Sequence, residues 1–377
     1  MPSNPFKFGK IVYDEHFYNR EKERTKIKDT LSSGNNVALY APRRYGKSSL
    51  IAKVLKELEQ EGFLCVHFDF MSVYSQRTFI EYYAQAILKS QKRFDLKAVI
   101  SSFSSIVKNI KPSVSFDQAG NPEFSVAFLE NADKEQSLVD VINLPEQLAG
   151  EKQKYIIAFD EFQEINKLNG ENFEKVLRSQ LQTHQNVSYV FFGSKTHLLK
   201  DMFNNKNRAF YNSAYIMNLE KMAEEDSVRF LQNAFTSSGI LLNSDIAYYL
   251  IRKVDNIPYY IQFLAHQVWE FAMIHNIKNI EESKVDDALE SILELKSDYY
   301  WELTNHQSNH RKKLLLALSR DAKELYAEAT SKKYELGAAS STQKSLEVLL
   351  NEGIIEKNKN RYEFADPLYK MFISKNL

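Results

Sequence analysis

Residues 37 to 51 constrain the fold of this chain more than any other stretch, because an apolar run, a turn and a new helical periodicity follow one another there. The turn has the sequence Ala41-Pro42-Arg43-Arg44-Tyr45-Gly46-Lys47-Ser48. It matches the phosphate-binding loop pattern G-x-x-x-x-G-K-[ST] except at the first position, where Ala41 replaces glycine. The order strand, loop, helix is the context in which that loop binds phosphate. The segment therefore predicts an α/β protein with a phosphate site after its first strand.

The residue types in this loop suit the chemistry of a bound phosphate. Gly46 lets backbone N–H groups approach phosphate oxygens, and Lys47 is placed to reach the β- and γ-phosphates. Ser48 offers a hydroxyl ligand for Mg²⁺, and the helix that starts there directs its positive end at the anion. Ala41 is tolerable if the backbone needs no positive φ at that position. An ordinary strand–helix turn with a surface lysine is the alternative, and the flanking strand and helix argue against it.

Length, charge and cysteine content limit the class of protein. A chain of 377 residues is too long for one simple core and suits two or three domains. Lys+Arg and Asp+Glu both number 49, so no overall basic field points to nucleic acid. The single cysteine, Cys65, excludes an internal disulfide framework and lies in an apolar run that predicts a buried thiol. The N-terminus does not resemble a signal peptide and no run approaches ~18 apolar residues, so a cytoplasmic location without membrane contact is expected.

Two later strands end in polar residues that suit phosphate chemistry. The apolar run at 155–159 predicts a central parallel strand, and Asp160 and Glu161 follow it. Ligands bind at this end of open α/β sheets, so we expect Asp160 to hold Mg²⁺ through water and Glu161 to deprotonate the attacking water. A fourth strand ends at Ser194, which is placed to contact that water or the γ-phosphate, or to cap the next helix. A solvated strand-end turn is the alternative for the carboxylates.

Arg208 follows the fourth strand in a polar loop. It is a candidate catalytic finger for a phosphoryl-transfer site. Most arginines in such loops are solvated surface residues, and both interpretations stay open at this point.

The chain divides into three predicted domains. Residues 1–217 are expected to form the α/β core, with a β-hairpin inserted at about 112–128. Helical periodicity from 218 to 305 predicts a helical lid. Three helices, the second around Leu325 to Ala329, followed by a hairpin at 306–377 predict a winged helix. The third of these helices carries only Lys344 and Glu347 as charges, which is poor material for reading base edges.

With these motifs in order, the chain resembles the AAA+-type ATPases of a predominantly archaeal family with bacterial members, related to initiator-like and STAND NTPases. The motifs that carry the resemblance are Phe17–Glu23 against F-x-G-R-E-x-E, Pro42–Leu50 against P-R-R-x-G-K-[ST]-S-L, Phe159–Gln163 at Walker B, Gly193-Ser194 at sensor 1, Ile257–Tyr260 at a family turn, and Asp366–Tyr369 against D-P-[LF]-[FY]. Asn19 stands where the opening box has glycine. Together the motifs span nearly the whole chain.

The resemblance implies a protein that binds ATP with Mg²⁺ and hydrolyses it. The residues expected at the nucleotide are Ala41, Pro42, Arg43, Arg44, Tyr45, Gly46, Lys47, Ser48 and Ser49 at the phosphates, with Phe17, Arg20 and Pro258 elsewhere on the nucleotide. Pro258 lies in the turn that occupies the place of a sensor-2 arginine in other AAA+ proteins. The absence of that arginine implies slow or partner-gated turnover. If Arg208 serves a neighbouring subunit, the active form is a homo-oligomer.

Two functions remain open on the sequence. One is a slow ATPase that acts as a nucleotide-driven switch. The other is a non-enzymatic module that binds duplex DNA or a protein through the winged helix, with the nucleotide only stabilising the fold. Glu161 favours the first, because a binding site alone needs no base at that position.

Overall fold

The computed structural model describes residues 3–11, 17–91, 96–119, 122–130, 133–149, 153–168, 170–358 and 361–377. It contains two compact units. The sheet unit comprises Arg20–Ala41 and Lys47–Glu220. The helical unit comprises Met1–Asn19, Pro42–Gly46 and Lys221–Leu377.

Seven strands lie among the described residues of the sheet unit. They are β1 (Val37–Tyr40), β2 (Leu64–Asp69), β3 (Ile110–Phe116), β4 (Pro122–Phe128), β5 (Tyr155–Asp160), β6 (Val187–Gly193) and β7 (Tyr215–Asn218). Five of them form one parallel sheet in the order β2-β5-β6-β1-β7. Since parallel strands place their carboxyl ends at the same edge, the residues that follow β1, β5 and β6 are brought to one edge.

The central strands are buried along their whole length, which explains their uninterrupted apolar sequences. Every residue of β1, β5 and β6 is buried, as expected for parallel strands covered on both faces. The edge strand β7 was not predicted, and helical structure was expected from residue 218 onwards. It has four residues, which are exposed or half-buried, so its sequence lacks the apolar run that marks the inner strands.

Seven α-helices lie among the described residues of the sheet unit. They are α1 (Glu21–Ser32), α2 (Lys47–Gln60), α3 (Gln76–Ser90), α4 (Leu96–Ile106), α5 (Lys134–Leu148), α6 (Gly170–Leu181) and α7 (Thr196–Asn204). Helix α2 buries the predicted apolar face, which includes Leu50, Val54 and Leu58. The α/β core predicted from the sequence is thereby confirmed.

The two strands between α4 and α5 pair with each other as an antiparallel hairpin. Ile110 and Phe124 are buried, and the hairpin packs on α3 and α4. Gly120 and Asn121, at the expected turn, lie outside the described residues. Ile110 and Phe124 therefore contribute to the core, whereas Phe116 at the end of β3 is exposed.

An aromatic cluster supports the carboxyl end of β5. The ring of Phe159 lies 6.0 Å from that of Phe68, 5.9 Å from Phe162 and 5.7 Å from Tyr189. All four side chains are buried. Because large rings in a packed core have little freedom, Phe159 is held in place directly before Asp160 and Glu161.

The helical unit contains nine helices and a second hairpin among its described residues. They are α8 (Glu224–Thr236), α9 (Ser244–Lys253), α10 (Pro258–Ile274), α11 (Glu282–Leu295), α12 (Ser297–Asn305), α13 (Asn309–Ser319), α14 (Glu328–Tyr334), α15 (Ala339–Asn351), α16 (Pro367–Asn376), β8 (Ile355–Asn358) and β9 (Arg361–Phe364). No helix in the described part of the chain has the length and apolarity needed to cross a membrane.

The C-terminal part has the predicted winged-helix order of three helices, α13 to α15, and an antiparallel hairpin. Two details differ from the prediction. The second helix was expected around Leu325 to Ala329, but α14 starts only at Glu328, and Leu325 is a buried residue of the preceding turn. Helix α16 was not predicted; it begins at Pro367, with Asp366 as its N-cap.

Candidate active site

The predicted phosphate loop connects β1 to α2, and its backbone departs from ordinary geometry at two residues. Arg44 has a φ of +70° and Gly46 a φ of +85°. A Cβ atom at Gly46 would meet no atom within 4 Å, so the glycine is needed there for its conformation and not for space. Ala41 is buried and is not among the described residues with positive φ. The substitution of the pattern's first glycine by alanine is therefore compatible with this backbone.

Lys47 and Ser48 open helix α2, and Ser48 lies next to the end of β5. The Oγ atom of Ser48 is 3.4 Å from Oδ2 of Asp160. Asp160 is the last residue of β5, only 8% exposed, and its Oδ1 accepts a 2.8 Å hydrogen bond from the Glu161 N–H. Lys47 is buried, as are Tyr45 and Ser49. The structure thus brings together the hydroxyl that the sequence predicted as a magnesium ligand and the carboxylate that was predicted to hold the ion through water.

The donor set at this point suits Mg²⁺. A hydroxyl and a carboxylate are hard oxygen donors, and Mg²⁺ in phosphate sites commonly takes one or two protein oxygens and fills its shell with phosphate and water. No group of three or more His, Cys, Asp or Glu in the described ranges is arranged to hold a metal alone. A magnesium ion at Ser48 and Asp160 would therefore depend on phosphate oxygens for the rest of its ligands.

Two further polar residues near Asp160 were not predicted from the sequence. The Nε2 atom of His67 lies 3.4 Å from Oδ2 of Asp160, and Asp69 is opposite Asp160 in the β2–β5 register. Burial raises the pKa of Asp69, the Met71 N–H bond opposes this, and the charge of Asp160 adds to the rise. The signal was available in principle, because β2 ends beside β5. It required the strand order, which the sequence alone did not give.

Glu161 adopts a left-handed conformation, with φ +47° and ψ +41°. One carboxylate oxygen, Oε2, accepts hydrogen bonds from the Ser194 N–H at 3.1 Å and from the Ser194 Oγ–H at 2.8 Å. The same oxygen accepts a hydrogen bond from Nε2 of Gln163. The predicted base and the predicted sensor-1 serine are therefore in direct contact, and Gln163, which the sequence placed in the Walker B box without a role, completes the group.

Arg208 is engaged inside its own chain. Its guanidinium forms ion pairs with Glu174 at 2.5 Å and with Asp201 at 2.7 Å, and it donates to Oδ1 of Asn166 at 2.8 Å. Burial lowers the pKa of Arg208, but the bonds and charges of Glu174 and Asp201 outweigh it and leave the pKa raised. These contacts favour the role of a local structural residue, and a finger for another subunit would first have to break them.

The arginines of the phosphate loop contact residues of the helical unit. The Nη1 atom of Arg44 lies 3.2 Å from Oδ2 of Asp366, the N-cap of α16. The Arg44 guanidinium also lies over the rings of Tyr259 and Tyr260, 4.9 and 4.8 Å from their centroids. The backbone N–H of Arg43 donates to Oε1 of Glu356 at 3.4 Å. Three of the motifs quoted above thus meet at Arg44.

The remaining predicted residues lie near the N-terminus and at the start of α10. Asn19 has a φ of +61°, which asparagine tolerates better than most residues and which explains how it replaces glycine. Arg20 is buried and pairs with Glu23 at 3.0 Å. Phe17 is half-buried, and Pro258 is the first residue of α10. Contacts of Phe17, Arg20 and Pro258 with a nucleotide stay predictions.

Comparison with known proteins gives two family matches. The family described as "ATPase domain predominantly from Archaea" matches residues 17–262. The family described as "Probable winged helix domain" matches residues 298–375. A search of the curated proteins finds no match.

Among solved structures, the chain is similar to the Walker-type ATPase PABY2304 of Pyrococcus abyssi, with 18% identity over 98% of this chain and 99% of that chain and a TM-score of 0.66. It is similar to the ORC2 protein of Aeropyrum pernix in its ADPNP–ADP complexes, with 14% identity over 98% of each chain and a TM-score of 0.57. The ORC1 protein of Aeropyrum pernix in complex with DNA matches with 15% identity, over 96% of this chain and 94% of that chain, and a TM-score of 0.50.

At these identities the structural likenesses establish the fold. The family match carries more, because it spans well over half of the chain and includes the phosphate loop, Asp160, Glu161 and Ser194. The chain belongs to the family of ATPase domains found predominantly in Archaea and carries a winged helix after its ATPase domain.

Proposed function

We propose that this protein binds MgATP and hydrolyses it slowly, and that the nucleotide sets the state of the winged helix. One observation carries the proposal: Ser48 at the start of α2 lies 3.4 Å from Asp160 at the end of β5, with Glu161 directly after it. This arrangement supports a hydroxyl ligand for Mg²⁺, a carboxylate that holds the ion through water, and a neighbouring carboxylate for the attacking water molecule. The lysine before Ser48 supplies the cation that phosphates need.

In this proposal each residue has a separate task. Lys47 neutralises charge on the β- and γ-phosphates, and Mg²⁺ would be held by Ser48 directly and by Asp160 through water. When bound, Mg²⁺ withdraws charge from the phosphate oxygens during transfer. Glu161 accepts a proton from the attacking water as the bond between the γ-phosphorus and the bridging oxygen breaks and ADP leaves. Ser194 holds the Glu161 carboxylate through two hydrogen bonds.

Slow turnover is expected from the start of α10. The family turn at this place presents Pro258 at the first helical position, whereas other AAA+ proteins carry a sensor-2 arginine there. An arginine at a phosphoryl-transfer site stabilises the charge of the transition state, and its loss removes a large part of the rate. Hydrolysis without it is therefore slow, or depends on a partner that supplies the missing charge.

The switch is proposed from the contacts of Arg44. This residue lies in the phosphate loop and is held by Asp366 of the winged helix and by Tyr259 and Tyr260 of α10. Asp366 also accepts a hydrogen bond from the Tyr300 hydroxyl at 3.1 Å. A phosphate that attracts Arg44 must compete with Asp366, so nucleotide binding and the winged-helix contact are thermodynamically linked.

The test of the ATPase combines calorimetric ATP titration with steady-state hydrolysis for the wild type, Lys47→Ala and Glu161→Gln. Lys47→Ala removes the cation at the phosphates and should weaken ATP binding at least ~tenfold. Glu161→Gln keeps the size of the side chain but removes the base, so it should bind ATP normally and turn over roughly 10²-fold more slowly. Equal titrations for wild type and Lys47→Ala, or an unchanged rate for Glu161→Gln, would contradict the assignment of that residue.

A second candidate function is nucleotide-stabilised binding of duplex DNA or a protein by the winged helix, with no turnover. The winged-helix match at residues 298–375 favours it, and the Aeropyrum pernix ORC1 protein was solved with DNA. The weakly charged α15 argues for contacts to the DNA backbone over base reading. Absence of hydrolysis in a wild-type protein that still binds ATP would support this second function.

A further inference from the structure

The position of Gln163 in the site is explained neither by the sequence motif that contains it nor by the proposed reaction. It lies in the 3₁₀ helix Phe162–Lys167 that follows β5, and only 2% of the residue is exposed. Its Nε2 donates to Oε2 of Glu161. Its own backbone carbonyl accepts a hydrogen bond from Nδ2 of Asn166 at 3.0 Å. The side chain is therefore fixed at both the backbone and the amide end.

Gly193 leaves the space that this amide occupies. A Cβ atom at Gly193 would lie 1.9 Å from Oε1 and 3.0 Å from Cδ of Gln163. Distances under about 3.0 Å do not occur between such atoms, so a larger residue at 193 would displace the Gln163 amide. Gly193 is not one of the described residues with a positive φ. The space beside Gly193 is thus taken by the side chain of Gln163, and the Cα atom of Glu161 would also lie only 3.2 Å from a Cβ there.

The amide orientation follows from its neighbour. Glu161 Oε2 is an acceptor, so the amine end of the Gln163 amide must face it, and a flipped amide would place two acceptors together. The Oε1 atom then points towards Gly193 and has no hydrogen-bond partner among the described atoms, although it is buried. An unsatisfied buried carbonyl costs stability. Gln163 therefore makes its contact with Glu161 at a cost to the stability of the fold.

Three donors converge on one oxygen of Glu161. They are the N–H and Oγ–H of Ser194 and the Nε2–H of Gln163. All three of these hydrogen bonds end on Oε2, and none of them engages the other oxygen, Oε1. The carboxylate is consequently held through Oε2, while Oε1 is left to accept a proton.

We propose that Gln163 is a positioning residue that fixes the Glu161 carboxylate for water activation, with Gly193 providing the room it needs. The inference rests on the proposed role of Glu161 as the base. Without the amide, the carboxylate loses one of three restraints and samples other orientations. A general base that is displaced by even about 1 Å loses much of its effect on the rate, whereas ATP binding does not depend on it.

The test uses the full chain with Gln163→Met, which keeps the volume but removes both amide atoms. We expect kcat to fall at least ~tenfold, the Kd for ATP to stay within about twofold, and the melting temperature to stay the same or rise. Gln91→Met is the matched control, because Gln91 is also buried and donates its amide to a single partner, the Tyr155 hydroxyl. Its kcat should equal that of the wild type.

Gln163→Asn is the second variant. It keeps the amide but shortens the side chain by one methylene. The NH2 group of the amide then no longer reaches Glu161, and kcat should fall as in Gln163→Met. Unchanged kcat in both variants, or a fall in kcat accompanied by weaker ATP binding and a lower melting temperature, would overturn the inference. If Glu161→Gln keeps the wild-type rate, the proposed function fails instead, and the two failures are distinguishable.

Discussion

At the scale of single residues, Arg44 and Glu161 have backbone conformations that L-residues rarely adopt. Arg44 has a φ of +70° and Glu161 a φ of +47°. Such a conformation costs of order 1 kcal/mol or more and persists only where the surroundings hold it. Glu161 is held by Ser194 and Gln163, and Arg44 by Asp366. In both cases the contacts that hold the residue are those on which the proposals above depend.

Arg208 gives the first prediction. Arg208→Ala would leave the carboxylate of Glu174, which is 2% exposed, without its partner. Removing one member of a buried ion pair is strongly destabilising, so the free energy of unfolding should fall by about 3 kcal/mol. Urea denaturation of both proteins measures this.

Arg229→Ala is the control for Arg208→Ala, since Arg229 is 73% exposed in its pair with Asp226 and its loss should cost under about 1 kcal/mol. The finger interpretation makes a different prediction. In that interpretation the hydrolysis rate of the wild type rises with protein concentration, and Arg208→Ala keeps wild-type stability but loses hydrolysis. That combination would show that Arg208 serves a neighbouring subunit.

The residues that meet at the end of β5 were largely predictable, and the residues that hold them were not. Ser48, Asp160 and Ser194 each follow or end a recognisable apolar strand, and parallel strands end at one edge. Gln163 was not assigned a role because its contact depends on the left-handed turn at Glu161. The contact of Arg44 with Asp366 joins residues 322 positions apart in the sequence, and no local pattern carries that information.

At the scale of elements, His184 ties the loop after α6 to α5 and β6. Its Nδ1 lies 2.6 Å from the Tyr189 hydroxyl and its Nε2 lies 2.8 Å from Oδ1 of Asn143. The amide of Asn143 donates to Gln180 at 2.8 Å, which leaves its oxygen to face His184. The neutral imidazole therefore donates from Nε2 and accepts at Nδ1.

The second prediction is a pH dependence of stability. Burial lowers the pKa of His184 and the charge of Glu146 opposes this in part, so the unfolded chain binds this proton more readily than the folded chain. The contribution of His184 to the stability of the fold is complete above its pKa in the unfolded chain, about 6.5. It is lost as the pH falls from there towards the lower pKa in the folded chain. Between pH 7.5 and 5.5 it accounts for at most about 1.4 kcal/mol.

Thermal unfolding of the wild type and His184→Gln at the two pH values tests this. The difference in stability between pH 7.5 and 5.5 should be smaller in the variant. His306→Gln is the control, because His306 is 75% exposed. An identical pH dependence in wild type and His184→Gln would show that the imidazole does not titrate differently on folding.

The elements that the sequence failed to predict are those stabilised mainly by tertiary contacts. Strand β7 consists of Tyr215–Asn218 and pairs with β1 at the edge of the sheet. Its four residues give no periodicity to detect. Helix α16 begins after Asp366, whose Oδ1 accepts from the N–H groups of Leu368 and Tyr369. That cap and Pro367 are recognisable helix-start signals, but the D-P-L-Y residues were interpreted only as a family ending.

At the scale of the whole molecule, the phosphate loop is divided between the two compact units. Pro42–Gly46 belongs to the helical unit, whereas Lys47 begins the portion of the sheet unit that follows. The proposed three-domain division at 217 and 305 was based on periodicity, which does not reveal that a loop inside the first domain packs with the last. The linkage between nucleotide and winged helix proposed above rests on these contacts of Arg44 with Asp366.

The third prediction tests that linkage with Asp366→Asn. Asparagine still caps α16 through its oxygen but presents an uncharged amide to Arg44. If Asp366 competes with phosphate for Arg44, ATP affinity should rise at least ~threefold, which calorimetry measures. Asp321→Asn is the control, since Asp321 is 76% exposed in its pair with Lys370 of the winged helix. Equal ATP affinity in wild type and Asp366→Asn would refute the competition.

The fourth prediction concerns duplex DNA and the wing. The described basic residues of the wing are Lys357 and Arg361, which lie at the same end of the β8–β9 pair, where Arg361 pairs with Asn358; Lys359 and Asn360 lie outside the described residues. Helix α15 contributes Lys344 and little other charge. Binding should therefore be weak and insensitive to sequence, with two or three phosphate contacts and a slope of about −2 to −3 in log K against log salt.

Fluorescence anisotropy with two unrelated duplexes over a range of salt concentrations tests this. Replacing both Lys357 and Arg361 by alanine should weaken binding to both duplexes equally and reduce the magnitude of the salt slope by about 2. Lys344→Ala should leave the relative affinity for the two duplexes unchanged. Phosphate contacts carry no sequence information, while base contacts do. Nanomolar binding that favours one duplex at physiological salt, and that depends on Lys344, would mean that α15 reads bases and that the winged helix regulates a specific DNA site.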